Sequence, residues 1–170
     1  MRALYLDGNV VGVGEEGELR AKAPQMMRGY LDAGLDADAF DDEGWFRTGD
    51  LGVIDDQGYV RITGRVKDVI IRKGENVSAA EVENLLYEHP KVADVAVIGL
   101  PDAERGEMVC AVVATADGAD PIGFDEMVTY LKGTGLRMQA LPERLEVVDA
   151  MPRNATGKIP KHELRKTYAG

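Results

Sequence analysis

Gly64-Arg65-Val66-Lys67-Asp68-Val69-Ile70-Ile71-Arg72-Lys73-Gly74-Glu75-Asn76-Val77-Ser78-Ala79-Ala80-Glu81 is the stretch where this chain changes character. Asp68 to Arg72 reads as a short strand because three β-branched apolar residues run together, and Lys73 to Asn76 reads as a turn around a glycine. Ser78-Ala79-Ala80-Glu81 is a capping box, with a hydroxyl placed to accept an orphan N–H of the first helical turn and a glutamate placed to reach back. Val82, Leu85 and Leu86 then form the apolar stripe of a helix, which Pro90 ends. Strand, turn and capped helix in succession mark the start of an α/β unit.

Forward from there, Val92 to Gly99 and Glu107 to Thr115 read as strands, Phe124 to Leu131 as a helix, Leu145 to Val148 as a strand, and Lys161 to Lys166 as a terminal helix. Backward, the pattern is different. Leu51 to Ile54 and Tyr59 to Ile62 flank Asp55-Asp56-Gln57-Gly58, which is hairpin chemistry: turn-forming acids, then a glycine able to take positive φ. Gly17 to Ala23 alternates like an exposed strand, and Asp32 to Glu43 is an acidic connector. The fold class expected is therefore α+β, with a β-rich first part followed by a compact α/β domain whose small sheet is flanked by helices.

Composition narrows the function. At 170 residues, 45% hydrophobic and 29% charged, the chain has the make-up of a soluble globular protein of one or two small domains. No stretch is apolar enough to span a bilayer as a helix, and the first residues lack the apolar segment of a signal peptide, so a cytoplasmic protein is expected. Cys110 stands alone in the run Met108 to Val113, which excludes an internal disulfide and suggests a buried, inert thiol. His89 and His162 have no cysteine partner nearby, so no metal site is expected from this chain.

The net charge of −10 argues against a nucleic-acid partner. Residues 1–60 hold thirteen acids against five basic residues, yet half of the twenty basic residues fall in two islands. Arg61, Arg65, Lys67, Arg72 and Lys73 form the first, and Arg153, Lys158, Lys161, Arg165 and Lys166 the second, with Asp68 and Glu163 their only acids. Such islands suit a compact polyanion such as a nucleotide or coenzyme A, although a solvated charged face has the same signature.

Met151-Pro152-Arg153-Asn154-Ala155-Thr156-Gly157-Lys158-Ile159-Pro160 presents a lysine on a glycine-containing loop between two prolines. The prolines disfavour helix before them and the glycine frees the backbone, so the expectation is a mobile loop that delivers Lys158 to a site built elsewhere. A lone loop lysine is ordinarily just a solvated charge. Other chemistries lack their parts. Ser78 is the only serine and already caps a helix, so no nucleophile elbow exists. A phosphate-binding P-loop is missing because Pro152 stands at its first glycine position and Ile159 follows the lysine. No Gly-x-Gly-x-x-Gly follows a strand.

Four motifs taken together carry a resemblance: Gly44-Trp45-Phe46-Arg47-Thr48-Gly49-Asp50, Gly64-Arg65-Val66-Lys67-Asp68, Lys73-Gly74-Glu75-Asn76-Val77, and Pro152 through Lys158. In this order and spacing, from about Val11 to the end, the chain resembles the last third of an AMP-forming acyl-CoA synthetase of the adenylating superfamily. The resemblance implies a two-step reaction in which a carboxylic acid and ATP give an acyl-adenylate and pyrophosphate, and coenzyme A then displaces AMP. It implies that residues 1–66 are the remnant of a large domain's distal β subdomain and 67–170 the complete C-terminal domain.

Carried over residue by residue, Asp50 matches the aspartate that accepts from the ribose hydroxyls, and Arg65 an arginine that also holds the nucleotide. Lys158 matches the mobile lysine of adenylation, Lys67 the hinge, and Gly74 with Lys73 the passage for the pantetheine arm of coenzyme A. Arg72-Lys73-Gly74 departs from the small residue and two glycines of many relatives. The lysine motif also fits the pattern around reversibly acylated lysines of this family, where losing the charge silences adenylation.

The phosphate loop, the acyl pocket and the magnesium-binding glutamate of the family all precede the region present. ATP or AMP, coenzyme A and Mg²⁺ are thus the cofactors expected, the Mg²⁺ ligands lying outside these residues. Inactivity of the chain alone and self-association through surfaces that the large domain covers are expected with them. A stand-alone, non-catalytic binding module is the alternative, for which Met1 as a natural start speaks. A carrier-protein-loading domain is disfavoured because no carrier domain follows Lys158, and a luciferase because Tyr168-Ala169-Gly170 is not a peroxisomal signal. Leu136 to Arg144 looks more like medium-chain or cyclic-acid ligases than phenylpropanoid ones.

Overall fold

The computed structural model describes residues 1–4 and 8–169, so Gly170 of the terminal tripeptide lies outside the described residues. The chain divides into two compact units, Met1–Lys67 and Asp68–Gly170.

The first unit is a four-stranded antiparallel sheet. Strands β1 (Arg2–Leu4) and β2 (Glu16–Ala21) precede a single helical turn, α1 (Asp36–Ala39), and then come β3 (Phe46–Ile54) and β4 (Val60–Arg65), neighbours in the sheet in chain order. The β3–β4 hairpin forms for the reason its residues suggest: Asp55 Oδ1 accepts from the Gln57 and Tyr59 N–H groups at 3.0 and 2.8 Å, and Gly58 takes φ of 84°. Gly52 is there for space, since an added Cβ would stand 2.7 Å from the Arg61 carbonyl oxygen and from Leu19 Cδ1. Ala3, Leu4, Leu19 and Leu51 form its small core.

The acidic connector is more ordered than its composition suggests. Asp32 caps a 3-10 turn by accepting from Gly34 N–H at 2.9 Å, and α1 follows at once. At its end Asp41 Oδ2 receives Arg2 and Arg20, each at 2.7 Å, while Oδ1 accepts the Trp45 N–H at 2.9 Å. Burial pushes the Asp41 carboxyl up, but these hydrogen bonds outweigh it and hold the group well below the usual carboxylate range.

The second unit contains β5 (Val69–Arg72), β6 (Glu75–Ser78), α2 (Ala79–Tyr87), β7 (Val92–Asp102), β8 (Gly106–Thr115), α3 (Phe124–Gly133), β9 (Arg144–Val148) and α4 (Lys161–Tyr168). The sheet runs β6-β5-β8-β7, with β9 added parallel to β8. Glu75 and Asn76, expected in the turn, instead pair with β5 as the start of β6, together with Val77 and Ser78; the polar residues around Val77 hide the alternation that would have marked a strand.

Alternate residues of β7 and β8 serve two cores. Val95, Val97, Val109, Ala111 and Val113 meet Val82 and Leu86 of α2 and Met127 and Leu131 of α3, whereas Ala96, Ile98, Cys110 and Val112 meet Leu164 of α4 and Met151 of the loop that precedes it. A sheet covered on both faces explains why these strands are unbroken apolar runs. Ser78 caps α2 as its position predicts, accepting the Glu81 N–H at 3.3 Å. Cys110 is fully buried, and burial pushes its thiol up to about 12.

Candidate functional site

Lys158 sits on a closed loop. Asn154 organises it: the Asn154 N–H donates to the Lys158 carbonyl at 2.9 Å, and Asn154 Oδ1 accepts from the N–H groups of Thr156 at 3.0 Å and Lys158 at 2.9 Å. Gly157 N–H donates to the Asn154 carbonyl at 2.9 Å with φ of 80°, a conformation that favours glycine. Instead of an open strap, the prolines bracket a turn tied by its own backbone, with Lys158 exposed at its end. An asparagine four residues before the lysine is the reason, because its amide oxygen can satisfy several backbone donors at once.

Asp50 and Arg65 come together within the first unit. They are paired in the β3–β4 register, with Arg65 Nε 3.1 Å from Asp50 Oδ1. The turn of backbone that aims Asp50 is set by Gly49 at φ 70° and by Thr48, whose Oγ1 accepts the Asp50 N–H at 3.0 Å and donates to the Leu19 carbonyl at 2.8 Å. Lys67 lies in one 3-10 turn, Val66–Asp68. Lys158 belongs to the other unit.

Lys73 and Gly74 are the two residues of the β5–β6 turn, at φ 51° and 80°. Two successive positive φ values give the hairpin turn whose twist matches its strands. Lys73 is the one non-glycine among the described residues in this region of backbone space. An added Cβ on Gly74 would meet nothing within 4 Å, so the space above the turn is open.

Four residues of the basic islands pair with acids far along the chain. Arg72 donates to Glu143 Oε1 from Nε at 2.7 Å and from a terminal nitrogen at 2.5 Å, Lys161 pairs with Glu83 at 2.7 Å, and Arg153 pairs with Asp94. The ammonium groups of Lys73 and Lys158 have no ion-pair partner among the described residues. Arg72 is held by Glu143, and that pairing raises its guanidinium pKa further. Glu83, Asp94, Asp41 and Glu143 carry no local signal of these roles, since each acts on a residue distant in sequence. No group of three or more His, Cys, Asp or Glu side chains able to hold a metal occurs among the described residues, and no helix there is long and apolar enough to cross a membrane.

The second unit is thus a mixed sheet between helices that carries, on a closed loop, a lysine ammonium without an ion-pair partner among the described residues, and the first is a β unit that pairs an aspartate with an arginine. Residues 81–158 match the family described as AMP-binding enzyme C-terminal domain. The medium-chain fatty-acid–CoA ligase of Escherichia coli (strain K12) is 40% identical over 154 residues, which is 90% of this chain and 27% of that protein. The salicyl-AMP ligase / salicyl-S-ArCP synthetase of Mycobacterium tuberculosis is 41% identical over 165 residues, 96% of this chain and 29% of that protein. The crystal structure of ATP-bound MatB from Rhodopseudomonas palustris superposes with a TM-score of 0.90 at 38% identity, over 99% of this chain and 33% of that one. The chain belongs to the AMP-binding, adenylate-forming enzymes that include the acyl-CoA ligases. It spans about three tenths of the length of the curated relatives it matches.

Proposed function

We propose that this chain is the C-terminal portion of an AMP-forming acyl-CoA synthetase and supplies the lysine of its first half-reaction. In that step a carboxylate oxygen of the acid attacks the α-phosphorus of ATP, the bond to the bridging oxygen breaks, and pyrophosphate leaves. In the second, the thiol sulfur of coenzyme A attacks the acyl carbonyl, AMP leaves with the acyl–oxygen bond pair, and the thiol proton goes to solvent. Lys158 offsets the negative charge gathering on carboxylate and phosphate oxygens, a task suited to a compact ammonium. Asp50 accepts from the ribose hydroxyls while Arg65 holds it and the nucleotide. Lys67 is the hinge between the two half-reactions, and Gly74 with Lys73 lines the path of the coenzyme A thiol arm. Mg²⁺, bound through residues outside this chain, would neutralise the triphosphate when present.

What supports the reading is Lys158 itself: exposed, held by Asn154, and without an ion-pair partner among the described residues while its neighbours Arg153 and Lys161 have theirs. The phosphate loop and acyl pocket belong to the remaining length of such an enzyme, so the chain alone is inactive on this reading, and the enzyme works in the cytoplasm where ATP and coenzyme A are held.

The test is a chimera in which this chain replaces the matching segment of the E. coli medium-chain ligase. The chimera should form acyl-adenylate and acyl-CoA from a medium-chain acid. Lys158→Ala should lower adenylation about a hundredfold or more, with thioester formation from supplied acyl-adenylate within a few-fold. Equal loss of both half-reactions, or a folded chimera that forms thioester but never adenylate, refutes the role.

A further inference from the structure

The exposed arch 152–158 stands on buried feet, Met151 at one end and Pro160 at the other. At the first foot, one terminal nitrogen of Arg153 donates to the Gly157 carbonyl at 2.7 Å, across the loop, and the other pairs with Asp94 of β7. Asp94 is itself fixed, since its Oδ1 accepts the Tyr87 hydroxyl at 2.5 Å and the Val95 N–H at 3.0 Å. At the second foot, Lys161 Nζ lies 2.7 Å from Glu83 Oε1, the same oxygen that accepts the Val97 N–H of β7 at 2.6 Å. Lys161 Nζ also lies 3.8 Å from Asp68, which receives Arg165 at 3.4 Å.

Both feet are therefore tied to α2 and β7, the most deeply packed part of the unit. The second tie reaches Asp68, the first residue of that unit, directly after Lys67. The side chains of Lys161, Glu83 and Asp68 are 17, 15 and 20% accessible, so these charges are shielded enough from water to act as a firm joint.

We propose that Arg153 and Lys161 are positioning residues for Lys158: they clamp the two ends of its loop to the α2–β7 core and to Asp68, so that the lysine moves only with its whole unit and keeps its place within it. The catalytic consequence rests on the reading of Lys158 given above; the mechanical one does not. A charge that must stand within a fraction of an ångström of a reacting phosphate gains from a rigid mount, because misplacement by about 1 Å can cost on the order of a hundredfold in rate.

The mechanical test uses ¹⁵N relaxation of the 170-residue chain, read at the amides of residues 154–158. In the unaltered chain their order parameters should equal those of β7, near 0.85. Arg153→Ala and Lys161→Met should drop them below about 0.6 while α2 and β7 amides stay put, and Lys161→Arg should keep them high. Arg153 is half exposed, so Arg153→Ala preserves the fold even where Lys161→Met, which strips a shielded pair, does not. Loop amides that are loose from the outset, or that stay tight in Arg153→Ala, overturn the clamp.

The catalytic arm uses the chimera. Arg153→Ala should lower kcat of adenylation ten- to a hundredfold, with KM for ATP within twofold and thioester formation unchanged. Unchanged adenylation on a loosened loop overturns the positioning role. Should Lys158→Ala itself leave adenylation intact, the reading of the lysine fails while the relaxation result still decides the clamp.

Discussion

Arg65 and Asp50 face each other across the β3–β4 hairpin, Nε to Oδ1 at 3.1 Å. The arginine side chain is half exposed and the aspartate a quarter exposed, so the pair sits in water enough to contribute little to folding, roughly 0–1 kcal/mol. What the pairing does fix is direction. An arginine that holds one carboxylate oxygen leaves the other free to accept from a ligand's hydroxyls, and its remaining N–H groups free for an anion.

Arg65→Ala should accordingly separate stability from binding. The unfolding free energy of this chain should fall by no more than about 1 kcal/mol, while the chimera's KM for ATP should rise at least tenfold. A large stability loss with unchanged KM would make the pair structural.

Asp41 gives the first unit a pH dependence of known sign. Its carboxyl is held well below the usual range, against burial, by the Trp45 N–H and by Arg20 and Arg2. A carboxyl lowered in the folded state contributes stability above its unfolded pKa of about 3.9 and loses it as pH falls through the lower folded value. Trp45 is the only tryptophan, lies under the Arg2 guanidinium at 4.4 Å and shares the Asp41 network, so its fluorescence reports this unit. The denaturant midpoint it records should decline as pH is lowered from about 5 to 3; Asp41→Asn should start lower at neutral pH and show a flatter decline. A parallel decline in the variant would assign the acid sensitivity to other groups.

Cys110 tests the second core. Burial pushes its thiol up to about 12, which disfavours the reactive thiolate, and the side chain is packed between the sheet and α4. Iodoacetamide should leave it unmodified in the folded chain for hours and modify it within minutes in denaturant. Rapid labelling without denaturant would mean that α4 opens readily from the sheet, which would also undercut a firm mount for Lys158.

Local chemistry wrote its meaning plainly in this sequence, and long-range pairing did not. The Asp55–Gly58 turn, the Ser78 cap and the two-faced apolar strands are readable because each depends on residues a few positions apart. The fold class and the superfamily followed from them and from four ordered motifs. Of the residues the motifs singled out, Asp50 and Arg65 are neighbours in space, paired across a hairpin whose turn is readable in the sequence. Within the basic islands, Arg72, Arg153 and Lys161 are answered by Glu143, Asp94 and Glu83 from 71, 59 and 78 positions away, which the islands' composition did not announce. Sequence spacing has no period for such partners. The closed form of the lysine loop turned on Asn154, whose one amide oxygen serves several donors only once the loop has turned back on itself.

Lys73 carries the last prediction, because it is where fold and function pull apart. A residue with a Cβ pays on the order of 1–2 kcal/mol for the left-handed conformation, and Lys73 adopts it at φ 51° beside Gly74. Asparagine tolerates that conformation far better and is the residue this turn type prefers before glycine. Lys73→Asn should therefore stabilise the second unit by about 0.5–1 kcal/mol. If the ammonium is there to meet a phosphate-bearing ligand, the same substitution should raise the chimera's KM for coenzyme A several-fold and leave adenylation alone. A gain in stability with no change in KM would leave the lysine's strain without a purpose in thioester formation. Loss on both counts would mean that its backbone tie to the Arg105 carbonyl, 2.8 Å long, depends on the lysine side chain.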